Sequence, residues 1–206
     1  MYTCANCSIY ACREENPEKL PKNCPIRNSE KIGEAVQTCL LPENHKFYVT
    51  SSELEALGYC QWPRIKETIE FCLRMGYTRI GLAFCYGLRQ EARIVDSLLR
   101  RAGLEVVSVI CKAGGVDKTR CGIAEEHKLH PGNFEAMCNP IAQAMLLNEQ
   151  KTQFNIALGL CVGHDSMFYK HSDALVTTLV AKDRVTGHSP AAPLYCAESY
   201  FRNRNL

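Results

Sequence analysis

The sequence predicts an α/β protein: a small Rossmann-like or flavodoxin-like three-layer domain with a four-stranded parallel sheet, preceded by a Cys-rich metal-binding knuckle. Three observations predict it. From Trp62 onward, four short and continuously apolar segments alternate with segments of helical periodicity, as expected for strands buried on both faces. Glycines stop two of these helices, at Gly76 and Gly103. The first 27 residues differ in kind, with four cysteines, three prolines and no periodicity. The boundaries follow as 1–27 for the knuckle and 28–206 for the α/β domain.

Taken in order, Ile32, Ala35, Val36, Cys39 and Leu40 fall at helical spacing, and the Pro42 step ends that helix after Leu41. Residues 50–58 read as a short capped helix ending at Gly58. Ile65, Ile69, Cys72 and Leu73 mark the helix that stops at Gly76. Residues 78–84 (TRIGLAF) form the first strand. Leu88, Ala92, Val95, Leu99 and Ala102 give the next helix its buried stripe, and residues 104–110 (LEVVSVI) are a β-branched strand. After a polar connection, a helix starts near Pro140 with Asn139 as its N-cap. Residues 154–160 and 174–181 supply two more strands, with a short helix at 164–172 between them.

Composition narrows the function classes. With 46% hydrophobic residues among 206, the chain can bury a core. A net charge of +2, no basic tract and only 8% aromatics argue against a nucleic-acid partner. No apolar stretch approaches the ~20 residues of a membrane span, and no secretory leader is visible, so the expected location is cytoplasmic. No G-x-G-x-x-G, P-loop or G-x-S-x-G occurs.

The chain has 13 cysteines. An odd number cannot pair fully within one chain, and a reducing compartment disfavours a disulfide scaffold. Metal, cluster or thiol chemistry is the stronger expectation. Cys4, Cys7, Cys12 and Cys24 have the spacing C-x2-C-x4-C-x11-C, which suits an all-thiolate shell for Zn²⁺ or an iron–sulfur cluster. A segment this short and polar needs such a staple to be ordered.

A second constellation emerges once the strands are placed. Three strands are each followed by a cysteine: Cys85, Cys111 and Cys161. In an open α/β sheet ligands bind at the carboxyl edge. Cys138, just before the Asn139–Pro140 helix start, could join them at that edge. Arg89, Lys112 and His164 could neutralise an anionic ligand there. The connection of about 26 residues after Cys111 is long enough to suggest a functional loop. Cys39 and Cys72 lie on apolar helical stripes and read as core. The segment after the last strand would fold over the site, bringing His188 and Cys196 near.

The motifs CANCSIYAC…NCP, GLAFCYGLRQEA, VICKAGG, MCNPIAQAMLLN and LGLCVGHDSMF together resemble a domain-of-unknown-function family of predicted metal-binding proteins from anaerobic bacteria and archaea. The resemblance covers nearly the whole chain and implies metal binding at the head cysteines, without a substrate or reaction. Two functions are therefore expected. One is an iron–sulfur protein, redox or cluster-dependent, with a second site at Cys85, Cys111, Cys138 and Cys161 and a redox partner or small-molecule ligand. The other is a zinc-stapled, non-catalytic binding module for a protein or small ligand.

Overall fold

The structure, a computed structural model, describes residues 1–14 and 16–203. It comprises two compact units, Met1–Leu57 and Gly58–Leu206.

The first unit begins with four single 3-10 turns, at Cys4–Asn6, Ala11–Arg13, Pro17–Lys19 and Pro25–Arg27. Pro17 and Pro25 open their turns, where a missing N–H costs nothing. Arg27 ties the segment together by donating from Nε to Pro21 O at 2.9 Å and from Nη2 to Leu20 O at 2.5 Å. Helix α1 (Ser29–Leu40) is capped by Asn28, whose side chain accepts from Lys31 N at 3.2 Å. Pro42 ends α1 as expected but also opens α2 (Pro42–Gly58). That helix is longer than the short one expected at 50–58: the Pro42 ring forces Leu41 to an extended ψ of 142° and so ends α1, while its fixed φ suits the first residue of the next helix. None of the α1 residues is buried: the expected stripe of Ile32, Val36 and Leu40 is exposed.

In the second unit every expected strand and helix is found, the strands slightly shortened at their ends. Strands β1 (Arg79–Phe84), β2 (Glu105–Ile110), β3 (Phe154–Leu158) and β4 (Val176–Val180) form one sheet in the order β2-β1-β3-β4, all parallel. Helices α3 (Arg64–Met75), α4 (Arg89–Arg101), α5 (Pro140–Glu149) and α6 (His164–His171) belong to this unit, followed by the short α7 (Ala191–Tyr195). Gly76, at φ +77°, closes α3 with its N–H on Leu73 O while Tyr77 N–H reaches Cys72 O.

The two-residue period of β1 separates the layers. Leu82 and Phe84 share a groove with Arg89 and Ala92 of α4. Gly81 faces the other way, where an added Cβ would lie 1.9 Å from Asn155 Oδ1 and 3.0 Å from Leu147 of α5. Helices thus cover both faces, and the central strands β1 and β3 carry the core: Ile80, Leu82, Ile156 and Leu158 are almost fully buried.

The strand order also places the functional edge. From β1 the chain steps to β2 on one side, then crosses to β3 on the other, so the carboxyl ends of β1 and β3 flank the switch point.

Candidate functional site

The sheet itself positions three of the cysteines. Cys85 follows β1 and its N–H still donates to Leu158 O of β3 at 3.1 Å. Cys111 follows β2 and its N–H donates to Phe84 O at 2.9 Å. Register therefore sets Cys111 beside the end of β1, and Cys85 beside the end of β3. Cys161 comes three residues after Leu158, beyond a turn at Gly159 (φ +63°). A Cβ there would meet Leu88 at 2.8 Å, so glycine is required both for its conformation and for its space.

Cys138 returns to the same edge by a different route. Residues 112–137 fold as an ordered loop with its own polar interior. Lys118 N–H donates to Glu135 O and Met137 N–H to Val116 O, around a bridge between Asp117 and Ala136. Inside the loop, Lys128 pairs with Asp117 and Glu125, each at 3.0 Å, and Lys118 pairs with Glu135. At the neck, Asn139 N–H donates to Cys111 O at 2.7 Å. Cys138 and Cys111 are thereby neighbours although 27 residues separate them.

Cys85, Cys111, Cys138 and Cys161 line one pocket together with Pro140, Gln143, Leu160 and His164. The sulfurs of Cys138 and Cys111 are 3.8 Å apart. Cys111 Sγ also accepts from Tyr86 N–H at 3.3 Å and shares a hydrogen bond with Cys85. Cys161 stands apart from this trio, its sulfur accepting from Arg184 Nη2 at 3.2 Å.

The trio divides its protons unevenly. Cys85 is held well below the usual thiol range, chiefly by the hydrogen bond from Cys111, and further by Gly87 N–H and Lys182, against the effect of burial. Cys138 is lowered by Cys111 first, then by Lys112 and His164. Cys111 is driven up by its hydrogen bonds with Cys138 and Cys85 and by burial. These directions favour the charged form of Cys85 and Cys138 and the protonated form of Cys111, with Lys182 beside Cys85 and Lys112 beside Cys138.

His164, Cys138 and Pro140 also line a neighbouring cleft of about 350 Å³, whose other walls include Cys121, Met137, Ile141 and Met167. That volume falls within the range of small-molecule sites.

Several expected neighbours have other roles. Lys112 and His164 act on Cys138 as expected, whereas the Arg89 guanidinium lies 4.8 Å over the Tyr86 ring. Cys196 and His188 line none of these walls, and His188 Nδ1 accepts from Asp183 N–H. The segment after β4 does reach the site, but through Lys182 and Arg184. Sequence reasoning missed those two, and Gln143 as well. Cys72 is fully buried, which pushes its thiol up to about 12, and Cys39 is half-buried.

In the head, Cys4, Cys7 and Cys24 line a small pocket with Thr3, Pro21, Asn23 and Pro25, while Cys12 is exposed and lies outside that lining. The Cys7 thiol is lowered by the N–H groups of Tyr10 and then Ile9. Among the described residues, no group of three or more His, Cys, Asp or Glu side chains is already arranged as a metal-ligand set, and no helix is long and apolar enough to cross a membrane.

The chain is similar to uncharacterized protein MJ0455 of Methanocaldococcus jannaschii, with 44% identity over 174 residues, covering 84% of this chain and 86% of that protein. A family model described as a protein of unknown function, DUF1847, matches residues 24–179. The matched region holds all four sheet-edge cysteines and, of the head cysteines, Cys24. The chain therefore belongs to the DUF1847 family of proteins of unknown function.

Proposed function

We propose that this is a metal-binding protein whose working centre is a thiolate-bound metal at the carboxyl edge of the sheet, in the pocket of Cys85, Cys111, Cys138 and Cys161. The observation that carries the reading is that four cysteines from three strand ends and one helix start line a single pocket. The donor set fits a thiophilic ion. Two thiolates ~2.3 Å from one tetrahedral ion lie about 3.8 Å apart, and Cys111 and Cys138 are separated by 3.8 Å. Among these side chains there is room for about one water-sized sphere, which suits a single ion. A bound ion would supply Lewis-acid or one-electron chemistry there.

The chain's own residues do the rest. Lys112, Lys182 and Arg184 offset thiolate charge. Tyr86 N–H donates to Cys111 Sγ and fixes its orientation. His164 stands between the thiolate pocket and the adjoining cleft, where it can hold or pass a proton to a bound molecule. In the head, Cys4, Cys7 and Cys24, with Cys12 completing the set after a local shift, would hold a second, structural metal.

An iron–sulfur cluster at the sheet edge is the second reading, with a redox or cluster-dependent role. It is favoured by the number of cationic groups placed around four converging thiols, since burying negative charge requires compensation. A zinc-stapled binding module is the third outcome of the same test. Metal content, acid-labile sulfide and visible spectrum of anaerobically purified protein decide among them, for the full chain, Cys4→Ser/Cys7→Ser, and Cys85→Ser/Cys138→Ser. Metal that survives the head substitutions and is lost with the sheet-edge ones is the expected result. Sulfide accompanying it selects the cluster. Metal lost with the head substitutions alone leaves only the binding module.

A further inference from the structure

Gln143 is fully buried on α5 and lines the thiolate pocket. Its Nε2 donates to two strand-end carbonyls, Val109 O at 2.8 Å and Phe84 O at 3.3 Å. Flipping the amide would set its oxygen against both carbonyls, so the orientation is fixed. Its Oε1 then remains buried with no hydrogen-bond partner, the one such side-chain atom among the described residues. An orphaned acceptor of this kind is destabilising unless something donates to it.

The cysteines are not equivalent. Cys85, Cys111 and Cys138 are mutually hydrogen-bonded through Cys111. Cys161 is engaged instead by Arg184. Cys111 thus links three of the sulfurs, while Cys161, His164 and Gln143 line the same pocket. A cleft of small-molecule size shares Cys138, Pro140 and His164 with that pocket.

We propose that the trio Cys85, Cys111 and Cys138 holds the metal, and that its fourth position takes an exchangeable small ligand bearing hydrogen, water or hydrosulfide, which donates to Gln143 Oε1. The inference rests on the sheet-edge metal reading above and adds to it an open, ligand-accepting position. Three protein ligands plus one exchangeable ligand is the pattern of reactive metal sites, whereas four protein ligands make a closed structural one.

The test uses the full chain carrying Cys4→Ser/Cys7→Ser, reconstituted with Co²⁺, whose thiolate charge-transfer absorption scales with the number of Co–S bonds. Adding Cys161→Ser should leave that absorption unchanged, because Cys161 is not a ligand. Hydrosulfide should raise it saturably, at one equivalent bound per metal. Azide, which carries no hydrogen to donate, serves as the comparison probe. Gln143→Leu should weaken hydrosulfide about five- to tenfold and leave azide affinity unaltered. A purely structural role for Gln143 would move both equally.

Loss of about a quarter of the absorption in Cys161→Ser, or a spectrum that no added ligand changes, overturns the open position while leaving a closed four-cysteine site. Absence of any sheet-edge Co²⁺ overturns the metal reading itself. Should Gln143→Leu fail to fold, the hydrosulfide titration and the Cys161→Ser comparison still decide.

Discussion

Arg184 Nη2 donates to Cys161 Sγ at 3.2 Å, so the segment following β4 is tied to the end of β3. The contact exists because β4 lies next to β3 in the sheet, so the chain leaving β4 emerges beside Cys161. Arg184 is exposed, so the bond is screened by solvent and contributes roughly 1 kcal/mol or less. Replacing Arg184 with Ala should raise hydrogen exchange in residues 182–189 by up to about fivefold, with exchange in β3 unchanged. Equal exchange in both proteins would detach this segment from the site.

Gly81 tests the packing of α5 on the sheet. A methyl group there collides with Asn155 Oδ1, which is itself buried and accepts from Thr152 Oγ1 at 2.7 Å. Asn155 Nδ2 meanwhile donates to Ser172 Oγ at 2.7 Å, so the side chain has no free direction to move. Gly81→Ala should therefore lower stability by about 2–4 kcal/mol, from overpacking and broken hydrogen bonds together, as read by urea unfolding.

Asn139 separates helix capping from sulfur placement. Its side chain accepts from Ala142 N–H at 2.9 Å, while its own N–H donates to Cys111 O at 2.7 Å. Asn139→Ala removes the first and keeps the second. Unfolding should show a loss of ~1 kcal/mol, with metal stoichiometry at the sheet edge unchanged.

The loop 112–137 should respond to acid. Asp117 is held below the carboxylate range by the Thr119 hydroxyl, then by Glu135 and Thr119 N–H groups and Lys128. Glu125 is lowered chiefly by Lys128, and Glu135 chiefly by Lys118. For groups depressed on folding, the stabilisation is complete above the unfolded values of about 4 and fades as pH falls through the folded ones. Protease cleavage within the loop should be constant from pH 7 to about 5 and increase below about 4. Asp117→Asn should loosen the loop at pH 7 and flatten that acid dependence.

The strands were readable because each is a short, largely apolar run, three of them followed by a cysteine, and a parallel sheet needs such runs. That the strand-end cysteines share an edge followed from the same reading, since all parallel strands end on one side. Lys182 and Arg184 were not readable. They come about twenty residues after Cys161, and the β3–β4 pairing brings Arg184 to Cys161 while Lys182 reaches Cys85. Gln143 did carry a signal: with Pro140, Ala144 and Leu147 it completes a buried helical stripe, and an amide in that stripe requires partners at both ends. In the first unit, Pro42 was legible as a stop and not as a start, because one ring both displaces the residue before it and presets the φ of a new helix.

The bond from Asn139 N–H to Cys111 O has one more consequence. It shuts the 112–137 excursion at its base, so the two sulfurs keep their spacing whatever is spliced into the tip. Doubling the length of such a closed excursion costs only about 0.6 kcal/mol. This stretch is therefore a slot whose tip can change in length without moving the sulfurs of Cys111 and Cys138.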